Sequence, residues 1–156
     1  MNIEKLPASR VMSRILVAIK PEESPLMAWE LMRRAEVHHL PVVDQGRFVG
    51  LLTREDLLAS WYGGPDLQSR RTVRALLGRR RTPCTSPDEV LGEVAARMLG
   101  AGCDALPVLA GGGRLVGLIT TTDVLAAVAG RLPEESGAGE VLTRMFHLEP
   151  VLPGQS

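Results

Sequence analysis

Apolar and polar positions alternate along this chain in two rhythms, one helical and one extended, and the same succession of rhythms occurs twice. Ala28, Leu31, Met32 and Ala35 stand at i, i+3, i+4 and i+7, the spacing of one helix face, and so do Leu91, Val94, Ala95 and Met98. Each set is followed by a short apolar run, Leu40-Pro41-Val42-Val43 and Leu106-Pro107-Val108-Leu109. A second run comes after a turn, Phe48-Val49-Gly50-Leu51-Leu52 and Leu115-Val116-Gly117-Leu118-Ile119. The turns, Asp44-Gln45-Gly46 and Ala110-Gly111-Gly112-Gly113, carry the glycines of hairpin connections. Segments 15–19 and 81–85 predict a further short strand before each helix, and apolar helices follow through Leu57-Leu58 and through 124–129.

The two copies are one repeat. Pro107 lies 66 residues after Pro41, and Gly117 lies 67 after Gly50. The extra residue falls in the hairpin loop, where it is tolerated, whereas in a strand it would flip every side chain to the other face. The pattern predicts an α+β (α/β-like) fold of two pseudo-twofold-related β-α-β-β-α repeats, each a small three-stranded sheet with helices on one side. A unit of roughly 50–60 residues has a marginal core alone, so the two are expected to fold together.

The expected organisation is a first repeat with its lead-in over 1–60, a linker over 61–72 and a second repeat over 73–130. A tail over 131–156 carries Val141, Leu142, Met145 and Phe146 at the spacing of a short helix, with 150–156 loose. Residues 72–77 predict a lead-in helix, mirrored by 9–12. Ser86-Pro87-Asp88-Glu89 has the form of an N-cap, a first-turn proline and a closing glutamate. In the first copy Pro21-Glu22-Glu23 and Ser24-Pro25 compete as the helix start.

Composition changes this picture only by exclusion. Eighteen basic and eighteen acidic residues give a formal net charge of zero, against the basic excess of nucleic-acid binding. Two Trp, one Tyr and two Phe offer little for base stacking. No apolar run reaches the roughly 18 residues of a membrane span, and the N-terminus lacks a secretory pattern, so a cytoplasmic protein is expected. Cys84 and Cys103 are then expected to be thiols packed as small hydrophobes.

Candidate chemistry sits where each second hairpin strand runs into its helix, at Thr53-Arg54-Glu55-Asp56 and Thr120-Thr121-Thr122-Asp123. Thr-x-x-Asp before an apolar run is a helix-capping pattern that needs no ligand. The reciprocal box usually closes with the longer Glu or Gln, so aspartate in both copies hints that the carboxylate points elsewhere. A carboxylate accepts two hydroxyl hydrogens at once, which suits a vicinal diol, and a helix N-terminus favours phosphate. Arg54 is a candidate phosphate clamp or a solvated surface residue. The arginines at 79–81 either line a cleft or mark a solvated face. His38 and His39 are adjacent, point to opposite sides of a strand, and predict no metal site. Gly111-Gly112-Gly113 precedes a strand, not the helix that a dinucleotide fingerprint requires.

The Leu-Pro-Val strand, glycine-bearing hairpin and Gly-h-h-Thr-x-x-Asp junction, present twice over about 11–130, resemble a tandem CBS-domain pair, or Bateman module. The resemblance implies a non-catalytic regulatory module that binds AMP, ADP, ATP, NAD or S-adenosylmethionine in clefts between the repeats. It implies no required cofactor, a homodimer, and an effector protein that the sequence does not identify. By the same resemblance Asp56 and Asp123 hold ribose hydroxyls, and Thr53 and Thr120 bond ribose or the first phosphate. The backbone at His39 to Pro41 and Ala105 to Pro107 faces adenine, with Val17, Ala18, Pro83 and Cys84 walling its other side. Thr121 stands where the first copy has Arg54, and Pro83 removes a backbone donor, so the two sites are expected to differ. The alternative is a ligand-free dimerisation or interaction module in which both Thr-x-x-Asp motifs only cap helices. No serine lies in a nucleophile elbow and no catalytic constellation is seen, so an enzyme is not expected.

Overall fold

Each rhythm becomes an element in the computed structural model, which describes residues 2–133, 140–144 and 147–150. In chain order these are α1 (Ala8–Val11), β1 (Ile15–Val17), α2 (Pro25–Ala35), β2 (His39–Asp44), β3 (Arg47–Thr53), α3 (Arg54–Ser60), α4 (Gly64–Arg70) and α5 (Val73–Leu77). There follow α6 (Leu91–Ala101), β4 (Ala105–Ala110), β5 (Arg114–Thr120), α7 (Thr121–Val128), β6 (Glu140–Arg144) and β7 (His147–Pro150). The fold is mixed α and β, with small antiparallel sheet pairings and short helices, as expected.

The chain forms two compact units: among the described residues, one holds Val17–Thr82 with 141–144 and 147–149, and the other joins 2–16 to 83–133, 140 and 150. These packing units do not coincide with the sequence repeats expected at 1–60 and 73–130. Each lead-in helix leaves its own repeat and packs with the other copy's hairpin. In the Val17–Thr82 unit, Val73 and Leu77 of α5 join Ile19, Ala28, Leu31, Leu40, Leu52 and Leu57 in the core. In the other, Ala8, Val11 and Met12 join Leu91, Val94, Met98, Leu106 and Ile119. Both lead-ins are anchored by backbone bonds. The Val73 and Arg74 amides donate to Glu23 and Pro21, and those of Ala8 and Ser9 donate to Glu89 and Pro87.

These anchors settle where α2 and α6 begin. The carbonyls at 21, 23, 87 and 89 are engaged outward, so those residues form docking turns instead of first helical turns. The start of α2 is Ser24, whose hydroxyl accepts from the Met27 amide at 3.1 Å. The Ser86 capping box is corrected: α6 starts at Leu91 with Val90 as its uncapped flank. Glu89 instead accepts the Thr85 hydroxyl at 2.7 Å and pairs with Arg97.

The two hairpins repeat in detail. Pro41 pairs with Leu51 and Pro107 with Leu118, and each ladder slips at the same point, between Val42 and Val43 and between Val108 and Leu109. The first turn needs positive φ at two successive residues, Gln45 (52°) and Gly46 (81°), the signature of a tight hairpin loop. Of the further strands expected at 15–19 and 81–85, residues 15–17 form β1, and each segment meets its hairpin through one parallel bridge alone, Ile19 to Val42 and Thr85 to Val108. The linker is also not plain loop. It holds α4, and the buried Gln68 fastens it by donating to the Tyr62 carbonyl at 2.6 Å. The tail is extended at Glu140–Arg144 and His147–Pro150, which corrects the helix expected through Val141 and Leu142. Met145, Phe146 and 151–156 lie outside the described residues.

Candidate functional site

β3 ends at Thr53 and α3 begins at Arg54, so the first Thr-x-x-Asp motif spans the strand-to-helix junction. The Asp56 amide donates to the Thr53 hydroxyl at 3.1 Å, and the Thr53 amide donates to Asp56 Oδ2 at 2.8 Å. The second junction repeats this: the Asp123 amide reaches the Thr120 hydroxyl at 3.2 Å, and the Thr120 amide reaches Asp123 Oδ2 at 2.9 Å. Both reciprocal capping boxes close with aspartate. The hint that the shorter acid turns away from its own backbone is corrected for Oδ2: the extended φ and ψ of each threonine bring its amide within reach of the short arm.

What faces the remaining oxygen differs between the copies. Arg80 spans the Asp56 carboxylate as a fork, Nη1 to Oδ1 at 2.6 Å and Nη2 to Oδ2 at 2.5 Å, and Nη2 also donates to the Leu51 carbonyl at 2.9 Å. Asp123 instead receives the Ser13 hydroxyl, 3.1 Å from Oδ1 and 3.4 Å from Oδ2. Ser13 is placed there by an antiparallel bridge to Leu118 on β5. Neither Arg80 nor Ser13 was singled out from sequence. The only signal for Arg80 was the arginine run at 79–81.

Burial pushes the Asp56 carboxyl up, but the Arg80 fork and the Thr53 amide and hydroxyl outweigh it and hold the group below the usual carboxylate range. A depressed folded-state pKa stabilises the protein above the unfolded value, and that contribution is lost as pH falls from about 4 through the folded value. Urea unfolding of wild type and Asp56→Asn between pH 7 and pH 3 is expected to show a wild-type advantage at neutrality that vanishes at the acid end. A difference that stays constant across this range would contradict the assignment.

The remaining predicted residues distribute as follows. Ala18, Pro41, Ala105 and Pro107 are buried, and the Pro41 and Pro107 carbonyls accept from the amides of Ile19 and Thr85 at 3.0 and 2.9 Å. A carbonyl has two lone pairs, so each keeps one. Val17 and His39, both of the Val17–Thr82 unit, are half-buried. The Arg54 amide donates to the His38 carbonyl, and the Thr121 amide to that of Asp104, both at 3.0 Å. The Arg54 guanidinium lies 5.9 Å from the Trp29 ring, which packs on Trp61 at 5.6 Å. Trp29, Met32, Arg33, Val37, His38 and Arg54 line a cavity of about 430 Å³, a volume in the range of small-molecule pockets. Cys84 is half-buried, and burial pushes its thiol up against the opposing charge of Arg97, which donates to the Cys84 carbonyl at 2.8 Å. Among the described residues, no helix is long and apolar enough to cross a membrane.

Two copies of one hairpin, each delivering a capped aspartate to a helix N-terminus, define a tandem-repeat protein with paired carboxylate junctions. The chain belongs to the CBS-domain family, whose profile matches residues 8–63 and 73–130. An uncharacterised protein of Methanocaldococcus jannaschii is 26% identical over 143 residues, which is 88% of this chain and 32% of that protein. The chain thus spans about a third of the length of that curated relative. The structure of CBSX2 in complex with AMP is similar with a TM-score of 0.70 and 26% identity, over 80% of this chain and 96% of that one. The CBS domain pair of protein MJ0100, in complex with 5′-methylthioadenosine and S-adenosyl-L-methionine, gives a TM-score of 0.68 and 23% identity, over 80% and 97%.

Proposed function

We propose that this chain is a non-catalytic regulatory module of the cytoplasm that binds adenosine-bearing ligands at its Thr-x-x-Asp junctions. One observation carries the reading: Asp56 and Asp123 occupy the same third position of a helix entered directly from a strand, each with Oδ2 on the threonine amide and Oδ1 directed away from its own backbone. Such an oxygen pair accepts a ribose diol without dismantling the cap, so capping and binding coexist. In this reading Thr53 and Thr120 serve the ribose or first phosphate, with Arg54 and Thr121 following them. His39, Pro41, Ala105 and Pro107 present backbone toward the base, and Val17, Ala18 and Cys84 wall it. The AMP complex of CBSX2 supports the ligand class.

The proposed partner beyond the ligand is a second copy of the chain, which would cover Leu99, Leu125 and Val128, exposed by 84%, 63% and 64%. Regulation requires the ligand to favour one of two states of the pair, since equal affinity for both shifts nothing. A ligand-free interaction module is the second reading, favoured by the closure of both capping boxes.

Thermal unfolding with AMP, ADP, ATP, NAD and S-adenosylmethionine separates the two. A true ligand at a hundred times its dissociation constant is expected to add about 2.7 kcal/mol of stability. Asp56→Ala and Asp123→Ala, made singly, are expected to reduce that gain according to which junction is occupied. No stabilisation by any of the five would leave the ligand-free reading, whereas a gain untouched by both replacements would place the ligand elsewhere and leave the two motifs as helix caps.

A further inference from the structure

The two junctions share one backbone design and differ in the group laid on the acid. Asp56 carries a cation in a two-point fork, with Arg80 fastened a third time to the Leu51 carbonyl. Asp123 carries a neutral hydroxyl from Ser13, which rotates freely and accepts as well as donates. The carboxylate edge that a ribose diol would use at Asp56 is the edge that Arg80 occupies. A diol supplies hydrogen-bond donors but no negative charge, so it replaces what Arg80 gives Asp56 and returns nothing to Arg80. A phosphate is the anion that a guanidinium engages with the same two-point geometry as a carboxylate. The long arginine side chain, 42% exposed, is free to swing toward solvent where Asp56 at 20% is not.

We propose that Arg80 is an internal lock on Asp56 and the specificity-determining residue of this junction, admitting adenosyl ligands that carry phosphate over those that do not. The inference rests on the reading of Thr-x-x-Asp junctions as ligand sites. It makes the two copies unequal. The Asp123 junction takes adenosyl groups with or without phosphate, whereas the Asp56 junction opens when the ligand offers Arg80 a second anion. Partial exposure lets water soften the loss of the ion pair, so the discrimination is on the order of tenfold and not absolute.

The test is calorimetric titration with adenosine and with AMP. An Asp123→Ala background, checked by circular dichroism and thermal unfolding, reports on the Asp56 junction alone. In that background AMP is expected to bind more tightly than adenosine. Arg80→Met, which keeps the apolar stem, is expected to tighten adenosine and weaken AMP, shrinking the preference about tenfold or more. Arg80→Lys keeps the charge without the fork and is expected to tighten adenosine while retaining most of the AMP affinity. A preference unchanged by Arg80→Met, in a protein whose binding is abolished by Asp56→Ala, overturns the lock and leaves the ligand reading standing. Binding of neither probe with Arg80 intact or replaced, while the otherwise wild-type chain also fails to bind, overturns both. Binding by the wild-type chain that is lost with Asp123→Ala alone places the ligand at Asp123 and overturns the role of Arg80.

Discussion

Leu106→Ala is expected to lower the unfolding free energy by about 2–5 kcal/mol, the range for emptying a packed leucine site. Leu106 has no solvent exposure and sits among Val11, Val94, Met98, Ile119 and Ala127. It lies on β4 between the residue paired with Thr120 and the one paired with Leu118, so the strands that position Asp123 fix its backbone and cannot collapse around the gap. The loss is thus a transfer term plus a cavity term. Leu40 holds the matching place in the Val17–Thr82 unit, also with no exposure, and Leu40→Ala is expected to cost a similar amount. Urea unfolding followed by circular dichroism reads both, with an unchanged slope showing that stability itself moved. A loss under about 1 kcal/mol at either site would mean that the cores are not packed as described.

Gly117→Ala is expected to cost about 1–3 kcal/mol, through overpacking and not through the backbone. A Cβ there would stand 2.3 Å from Met12 Sδ, 2.8 Å from its Cγ and 3.1 Å from its Cβ, so the whole side chain must move and not its tip alone. The effect tests the exchanged lead-in directly, because Met12 belongs to the lead-in of the first repeat while Gly117 lies in β5 of the second. Met12→Ala, harmful by itself, is expected to remove most of the penalty when combined with Gly117→Ala. A double-mutant cycle reads this coupling, and strictly additive losses would deny the contact. Gly50→Ala meets Leu77 at 3.0 Å from its branched tip, a milder clash that the leucine relieves by rotation, and a smaller loss is expected.

Much of this architecture was legible because it is local. The helical spacing of Ala28, Leu31 and Met32 and of Leu91, Val94 and Met98 put these residues in the core, and all are buried. The hairpins followed from glycine chemistry, and the one-residue offset between copies falls in the second hairpin's loop, Gly111–Gly113. The strand-to-helix junctions at Thr53 and Thr120 were equally plain, since a short polar cap before an apolar run has one natural conformation. The repeat itself led to the CBS family, which the profile match bears out over both copies.

Errors arose where local signals were matched by distant ones. Ser86-Pro87-Asp88-Glu89 is a good helix start by composition, but Pro87 and Glu89 turn their carbonyls to the amides of Ser9 and Ala8. Glu89 then closes on Thr85 and Arg97 instead of on its own backbone. The arginine run at 79–81 reads either as cleft-lining or as a solvated face, and nothing in the neighbours of Arg80 in sequence says that it folds back over Asp56.

The repeat, its succession of elements, the core-facing positions within each copy and the places of the two carboxylates can be read from the amino acids alone, because periodicity, turn chemistry and capping act over a few residues. It took the folded chain to settle which lead-in helix fills out which core, where α2 and α6 begin, and that Arg80 rather than a hydroxyl guards Asp56. Those outcomes depend on groups tens of residues apart meeting at van der Waals or hydrogen-bond distance, which no local pattern encodes.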